Sequence, residues 1–290
     1  MDTPPKTLLG TAALVTVALV VATVVLTGCS SSAPDASTGG HTGATGLPYE
    51  HVHGLGVDPA DGAVYVATHD GLFRSDANGL QRADDTGRDL MGFTITGPGT
   101  FLSSGHPGPG EQVANPLGLV QSTDAGTSWT TLGLAGEVDF HALEVSAGTV
   151  FGYDATHQVL RASDDGGRSW QTRAALAALD IAADPANPAA VLATVQGGVA
   201  ASRDGGRSFA APTGPQLAYL SWAADGTVYG LDPQGAVFVS GDGAANWTPA
   251  GVVPGGRPQA LTATDGALLA ATAGGVYRSE DGGATFMPMT

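Results

Sequence analysis

The side chains that carry chemistry in this chain are imidazoles set near carboxylates. Of its seven histidines, five (His51, His53, His69, His106 and His141) fall at the edges of apolar segments in the first half of the sequence. His53, Met91 and His141 open such segments, and His69, His106 and Asp154 close the ones that follow. His51 sits two residues before His53, so both rings point the same way if that segment is a strand. Neutral imidazoles with a carboxylate suit Zn, Cu, Ni or Fe, and a Met91 thioether would shift the preference towards copper. The same groups would also serve as a His/Asp acid–base pair, or as hydrogen-bonded filling with Met91 in apolar packing. The choice depends on whether the chain brings them together.

What must position them is a repeat. Ser122-Thr-Asp124-Ala-Gly126-Thr-Ser-Trp129 returns as Ser163-Asp-Asp165-Gly-Gly167-Arg-Ser-Trp170 and as Ser202-Arg-Asp204-Gly-Gly206-Arg-Ser-Phe209. It returns again as Ser240-Gly-Asp242-Gly-Ala244-Ala-Asn-Trp247 and Ser279-Glu-Asp281-Gly-Gly283-Ala-Thr-Phe286. The aspartates are spaced 41, 39, 38 and 39 residues apart, and Phe73 to Gly79 reads as a worn first copy. Six units of about forty residues fill the chain from His51 to its end. Short apolar runs such as Ala63–Thr68 and Ala267–Thr272, bounded by Gly, Pro and Asp, read as strands joined by tight turns.

This pattern, Ser-x-Asp-x-Gly-x-x-Trp/Phe, resembles the Asp-box or BNR repeat of β-propellers. The resemblance implies an all-β, six-bladed propeller of sequential four-stranded blades, with each box between the third and fourth strands. The box residues are expected to be structural: the carboxylate accepts backbone N–H groups of its own turn and the aromatic packs between blades. In register, the first strands of the six units start at His53, Met91, His141, Leu179, Leu220 and Gln259, on the face away from the boxes. The second strands end on that face at His69, His106, Asp154, Val195, Asp232 and Ala273. His51, His53, His69, His106, His141 and Asp154, with Met91 as a further contributor, are therefore expected to converge as a transition-metal site, for Cu or Zn. The long loop from Pro107 to Pro116 would lie over it.

Proteins of this repeat class include sialidases and other glycoside hydrolases, sortilin-type receptors and a photosystem II assembly factor, so the fold leaves catalysis open. The arginine triad of sialidases, opened by an Arg-Ile-Pro type motif, has no counterpart here, nor is a Tyr–Glu nucleophile pair recognisable. Glycoside hydrolysis by two carboxylates would draw on Glu111, Asp139 or Asp154. The chain is more similar to bacterial lipoproteins labelled glycosylhydrolase by likeness than to a working sialidase. A scaffold for other envelope proteins is the remaining alternative.

The single cysteine excludes an intramolecular disulfide. Lys6, the apolar run Leu8–Leu26 and Leu26-Thr27-Gly28-Cys29 are similar to a lipoprotein signal with its lipobox. That resemblance implies a signal peptide over 1–28 and a lipidated Cys29. Residues 29–47, rich in Ser, Gly and Thr, read as a disordered tether, and 48–290 as the propeller. The uncleaved alternative is a transmembrane helix. Either places the domain on the extracytoplasmic face of a bacterial cell membrane. The net charge of −16 argues against nucleic acid. The expected partners are the membrane, through the lipid, and a glycan or envelope protein; the closed propeller is expected to be a monomer.

Overall fold

A computed structural model describes residues 49–289, with Met1. The signal peptide, Cys29 and the tether lie, Met1 apart, outside the described residues. Among those described there is no helix, and so none long and apolar enough to cross a membrane.

The strands form six antiparallel sheets, each of consecutive strands, arranged as the blades of a propeller. Blade 1 holds β1 (Val52–Val57), β2 (Val64–Thr68), β3 (Gly71–Asp76) and β4 (Gly79–Arg82). Blade 2 holds β5 (Asp89–Gly97), β6 (Thr100–His106), β7 (Leu119–Ser122) and β8 (Thr130–Gly133). Blade 3 holds β9 (Phe140–Ser146), β10 (Thr149–Asp154), β11 (Val159–Ser163) and β12 (Gln171–Ala175). Blade 4 has β13 (Ala178–Ala183), β14 (Val191–Val195) and β15 (Gly198–Ser202). Blade 5 has β16 (Tyr219–Trp222), β17 (Val228–Leu231), β18 (Ala236–Ser240) and β19 (Thr248–Val252). Blade 6 has β20 (Pro258–Thr264), β21 (Ala267–Thr272), β22 (Gly275–Ser279) and β23 (Met287–Pro288).

Blade 4 departs from the expected four strands. Its outer segment touches β15 only through an isolated Val199–Thr213 bridge and an Ala210 N–H to Ala201 carbonyl bond. Pro212 lies in that segment and has no N–H to give a ladder, which confines it to an edge.

The core is distributed over the joints between blades. β2 is buried on both faces: Val64 and Val66 pack with Leu269 and Val276 of blade 6, while Tyr65 and Ala67 pack with Leu90 and Phe101 of blade 2. Period-two alternation thus serves two interfaces from one strand. Four further clusters fill the other joints, at roughly 1.5–3 kcal/mol for each large side chain withdrawn from water. The ring closes where Val52 N–H donates to Gln259 Oε1 (3.1 Å) and the Thr262 hydroxyl to the Leu55 carbonyl (2.9 Å).

The Ser–Asp turns share one bonding pattern. In blade 3, Ser163 Oγ donates to Asp165 Oδ1 (2.8 Å) and accepts from Gly167 N–H (2.8 Å). Ser169 donates through its hydroxyl (2.6 Å) and its N–H (2.8 Å) to the same carboxylate. These bonds hold the Asp165 carboxyl well below its usual range. The aspartates are thereby committed to their own turns, as expected of structural residues. Blade 1 lacks this turn; β3 and β4 join through Ala77-Asn78, with Asn78 N–H on Asp76 Oδ1.

Candidate functional site

The first strands begin with a shared irregularity. Pairing to the second strand slips at Val52/Gly54 in blade 1, Leu90/Phe93 in blade 2, Ala178/Ile181 in blade 4 and Pro258/Ala260 in blade 6. Blade 3 slips between Phe140 and Ala142. The slip falls at His53, at Met91 and Gly92, at His141, at Leu179 and Asp180, and at Gln259. A bulge leaves its residue unpaired and re-aims the side chain, so the histidines of blades 1 and 3 leave the regular pleat. Two residues upstream of these positions stand His51, Asp89 and Asp139.

Asp89 is the centre of the resulting cluster. Its Oδ2 lies 2.9 Å from His69 Nδ1 and its Oδ1 3.4 Å from His53 Nε2. A ligand atom from each of His53, His69 and Asp89 lies within 4.8 Å of the others. His53 Nε2 and Asp89 Oδ1 are both buried without a hydrogen-bond partner. Burial pushes the Asp89 carboxyl up, but the rings of His53, His69 and His106 outweigh it and hold the carboxyl below the usual range. Across the β5–β6 ladder Asp89 is paired with His106. His106 Nε2 in turn lies 3.4 Å from Asp139 Oδ2, which His141 Nε2 approaches to 2.9 Å. His53, His69, His106 and His141 thus alternate with two carboxylates across the first three blades. His53 and His141 also line one end of the central channel.

Asp154 stands apart from this cluster. It is paired with Phe140, as Thr68 is with Val52 and Gly105 with Leu90. It therefore belongs one residue before the positions of His69 and His106, and a one-residue offset turns a strand side chain to the other face. Fully buried there, Asp154 accepts from the His157 N–H (3.0 Å) and Arg161 Nε (2.9 Å), with His157 Nδ1 at 2.8 Å. Thr68 fills the same position in blade 1, accepting from Asp70 N–H and donating to the Gly71 carbonyl. Glu111 is gripped by Arg88 Nε (2.9 Å) and Nη2 (2.8 Å), and that ion pair holds its carboxyl low. Asp139, counted among the catalytic carboxylates in the sequence, lies with the imidazoles. His51 is exposed, and Met91 is half-buried on its bulge.

The loop after β6 reaches the cluster as expected. Asn115 Oδ1 lies 2.7 Å from His106 Nδ1, and Glu111 ties the loop back to Arg88, beside Asp89. Asp89 was missed in the sequence. The signal was the pair of positions two apart at each strand start: His51/His53, Asp89/Met91, Asp139/His141.

A second group of acids lies inside the channel. Burial pushes the Asp180 carboxyl up to about 7, even though the Leu220 N–H donates to its Oδ2 (2.8 Å). Burial, with Asp180 nearby, also raises Glu144 well above its usual range.

No protein-family model and no curated protein matches the chain. Solved structures do. A GH74 enzyme from Niastella koreensis superimposes with a TM-score of 0.58 at 16% identity, covering 82% of this chain and 45% of that one. A chain of a nidogen/laminin complex gives 0.59 at 12%, covering 78% and 91%. YCF48 bound to D1 peptide gives 0.51 at 15%, covering 83% of each. The chain spans less than half the length of the GH74 enzymes it matches. At these identities the likeness is one of fold.

Proposed function

We propose that this protein is a lipid-anchored, extracytoplasmic Asp-box propeller that binds a transition metal ion through His53, His69 and Asp89. The observation that carries the reading is the convergence of those three ligand atoms within 4.8 Å, two of them buried and unpartnered. Two ligands bound tetrahedrally at about 2.1 Å from one ion stand about 3.4 Å apart. The 2.9 and 3.4 Å separations around Asp89 are close to that span. Two imidazoles and a carboxylate are a donor set that would suit zinc and leave a fourth ligand to come from solvent or substrate.

Metal analysis of the purified full-length chain tests it. Bound zinc or copper in the wild type, lost in His53→Ala/His69→Ala, is the expected result; equal, near-zero metal in both removes the reading. Anchoring is tested separately. The mature chain should begin at an acylated Cys29 by mass spectrometry, and Cys29→Ala should release the protein from the membrane fraction.

A glycoside hydrolase reading finds less support. Glu111 is held as a carboxylate by Arg88, and Asp154 is enclosed by His157 and Arg161. Asp139 is engaged by the imidazoles of His106 and His141.

A further inference from the structure

We propose that the cavity between blades 3 and 4, on the face of the Ser–Asp turns, binds a phosphate group between the guanidiniums of Arg173 and Arg207. The cavity has a volume of about 330 Å³ and is lined by both arginines, by Asp164 and Asp204, and by Phe151 and Pro188. No imidazole lines it, so the proposal stands apart from the metal reading.

Arg173 occupies a place that the other blades give to apolar residues. It is the third residue after the aromatic of its turn, and the matching residues are Leu132, Pro212, Ala250 and Met289. Leu132 and Met289 pack against the apolar clusters of their joints. A methyl added at Gly167 would meet Leu132 at 3.7 Å, and one at Gly206 would meet Arg173 Cβ at 3.9 Å. The two side chains therefore enter successive joints at the same place, and an apolar residue satisfies the packing there. Arg168 and Arg207 are also matched: each donates through Nη1 to a carbonyl of its own turn, that of Asp165 (2.7 Å) and of Asp204 (2.6 Å). Since the joint of Arg168 carries Leu132, only Arg207 has a second arginine for a neighbour.

The chain leaves this pair without a counter-charge in contact. Arg173 is half-buried, and its Nε is buried with no hydrogen-bond partner. Among the described residues neither guanidinium has a carboxylate at ion-pair distance. Burial, and then the Arg207 charge, hold Arg173 below its usual range, while Asp164 and Asp204 act the other way from further off. Those acids are engaged elsewhere. Asp204 accepts the hydroxyls of Ser202 (2.8 Å) and Ser208 (2.6 Å), and Asp164 accepts that of Thr149 (2.8 Å). Two like charges in a partly desolvated joint repel unless an anion lies between them. A tetrahedral phosphate offers oxygens to both planar forks at once, whereas a carboxylate is served by one. The net charge of −16 disfavours an anionic lipid surface, so a soluble phosphate ester is the expected source.

Calorimetric titration of the full-length chain with inorganic phosphate, at constant ionic strength and against chloride, tests this. The wild type should bind a single phosphate. Arg173→Leu, which installs the residue type of blade 2, should weaken binding about 10-fold or more, the cost of a lost charge-assisted hydrogen bond. Arg173→Lys keeps the charge without the fork and should fall between the two. Arg168→Gln, at the matching place one turn earlier, should bind as the wild type does. Unchanged melting temperatures show that the variants fold. Vesicles of phosphatidylglycerol should not retain the Cys29→Ala chain; retention that Arg173→Leu abolishes would make a lipid headgroup the source of the phosphate. No phosphate-dependent heat in the wild type overturns the proposal. So does equal weakening by Arg168→Gln and Arg173→Leu, since a general attraction to surface arginines would then explain the binding.

Discussion

Asp89 Oδ2 and His69 Nδ1, 2.9 Å apart, belong to different blades: the carboxylate opens the second, and the ring follows the second strand of the first. The contact is therefore a joint of the ring as well as a pair of proposed ligands. Replacing Asp89 by Asn keeps the size and removes the charge that makes the oxygen a strong ligand. Zinc affinity at this site should fall on the order of 100-fold, the upper range for disturbing even a supporting residue of a metal site. Competition against a chromophoric chelator measures it, and an unchanged affinity would show that Asp89 takes no part.

Asn115 makes a second, milder prediction. It is exposed, and its contribution here is to hold the His106 ring through Nδ1. Asn115→Ala should lower zinc affinity by no more than about 10-fold, because the His106 ring lies beside the Asp89 carboxyl without being one of the three proposed ligands. The melting temperature should change little, as for an exposed surface substitution. A loss as large as that of Asp89→Asn would instead make His106 a ligand of the ion.

The propeller was legible because its signal is periodic: five Ser–Asp turns at near-constant spacing leave few alternative folds. The site was legible only by element. Aligning the units identified the sector and four of its rings, yet it placed Asp154 with them and omitted Asp89. Both differences have one cause. The ends of the second strands differ by a residue between blades, and the bulges at the first-strand starts break strict alternation. Neither insertion has a marker in a single sequence, and each decides which way a side chain faces. The missing fourth strand of blade 4 had no such marker: Pro212 lies in that segment, but Pro249 and Pro288 lie within the fourth strands of blades 5 and 6.

The channel acids predict a pH dependence of stability. Asp180 is raised to about 7 by burial, against about 4 in an unfolded chain. Folding therefore favours its neutral form. The associated stability is fully present below about pH 4 and is lost as pH rises through 7. Asn at this position still offers an oxygen to the Leu220 N–H but does not titrate. Asp180→Asn should thus be close to wild type at pH 4 and more stable at pH 8, by an amount whose upper bound is about 4 kcal/mol for a rise of about three pH units. Urea unfolding at the two pH values decides the matter; parallel losses would mean that the channel solvates the carboxylate.

The last prediction concerns why the turns need glycine. Gly206 has φ of +75°, and a methyl group there would overlap Leu160 of the preceding blade. Gly126 and Gly167 meet Leu72 and Leu119 in the same way. Blade 5 carries Ala244 at φ +72°, in one apolar cluster with Val199, and in blade 6 a methyl at Gly283 would stand 2.9 Å from Val237. A valine at this position eases the overlap without abolishing it. Gly206→Ala should therefore cost about 2–3 kcal/mol, part from backbone strain and part from overpacking. Leu160→Val alone should cost about 1 kcal/mol for the methylene it removes. Combined, the two should be more stable than the sum of their separate losses predicts, by roughly 1 kcal/mol, because the clash is relieved. A double-mutant cycle by chemical denaturation tests it. Strict additivity would assign the whole cost of Gly206→Ala to its positive φ and none to the joint between blades.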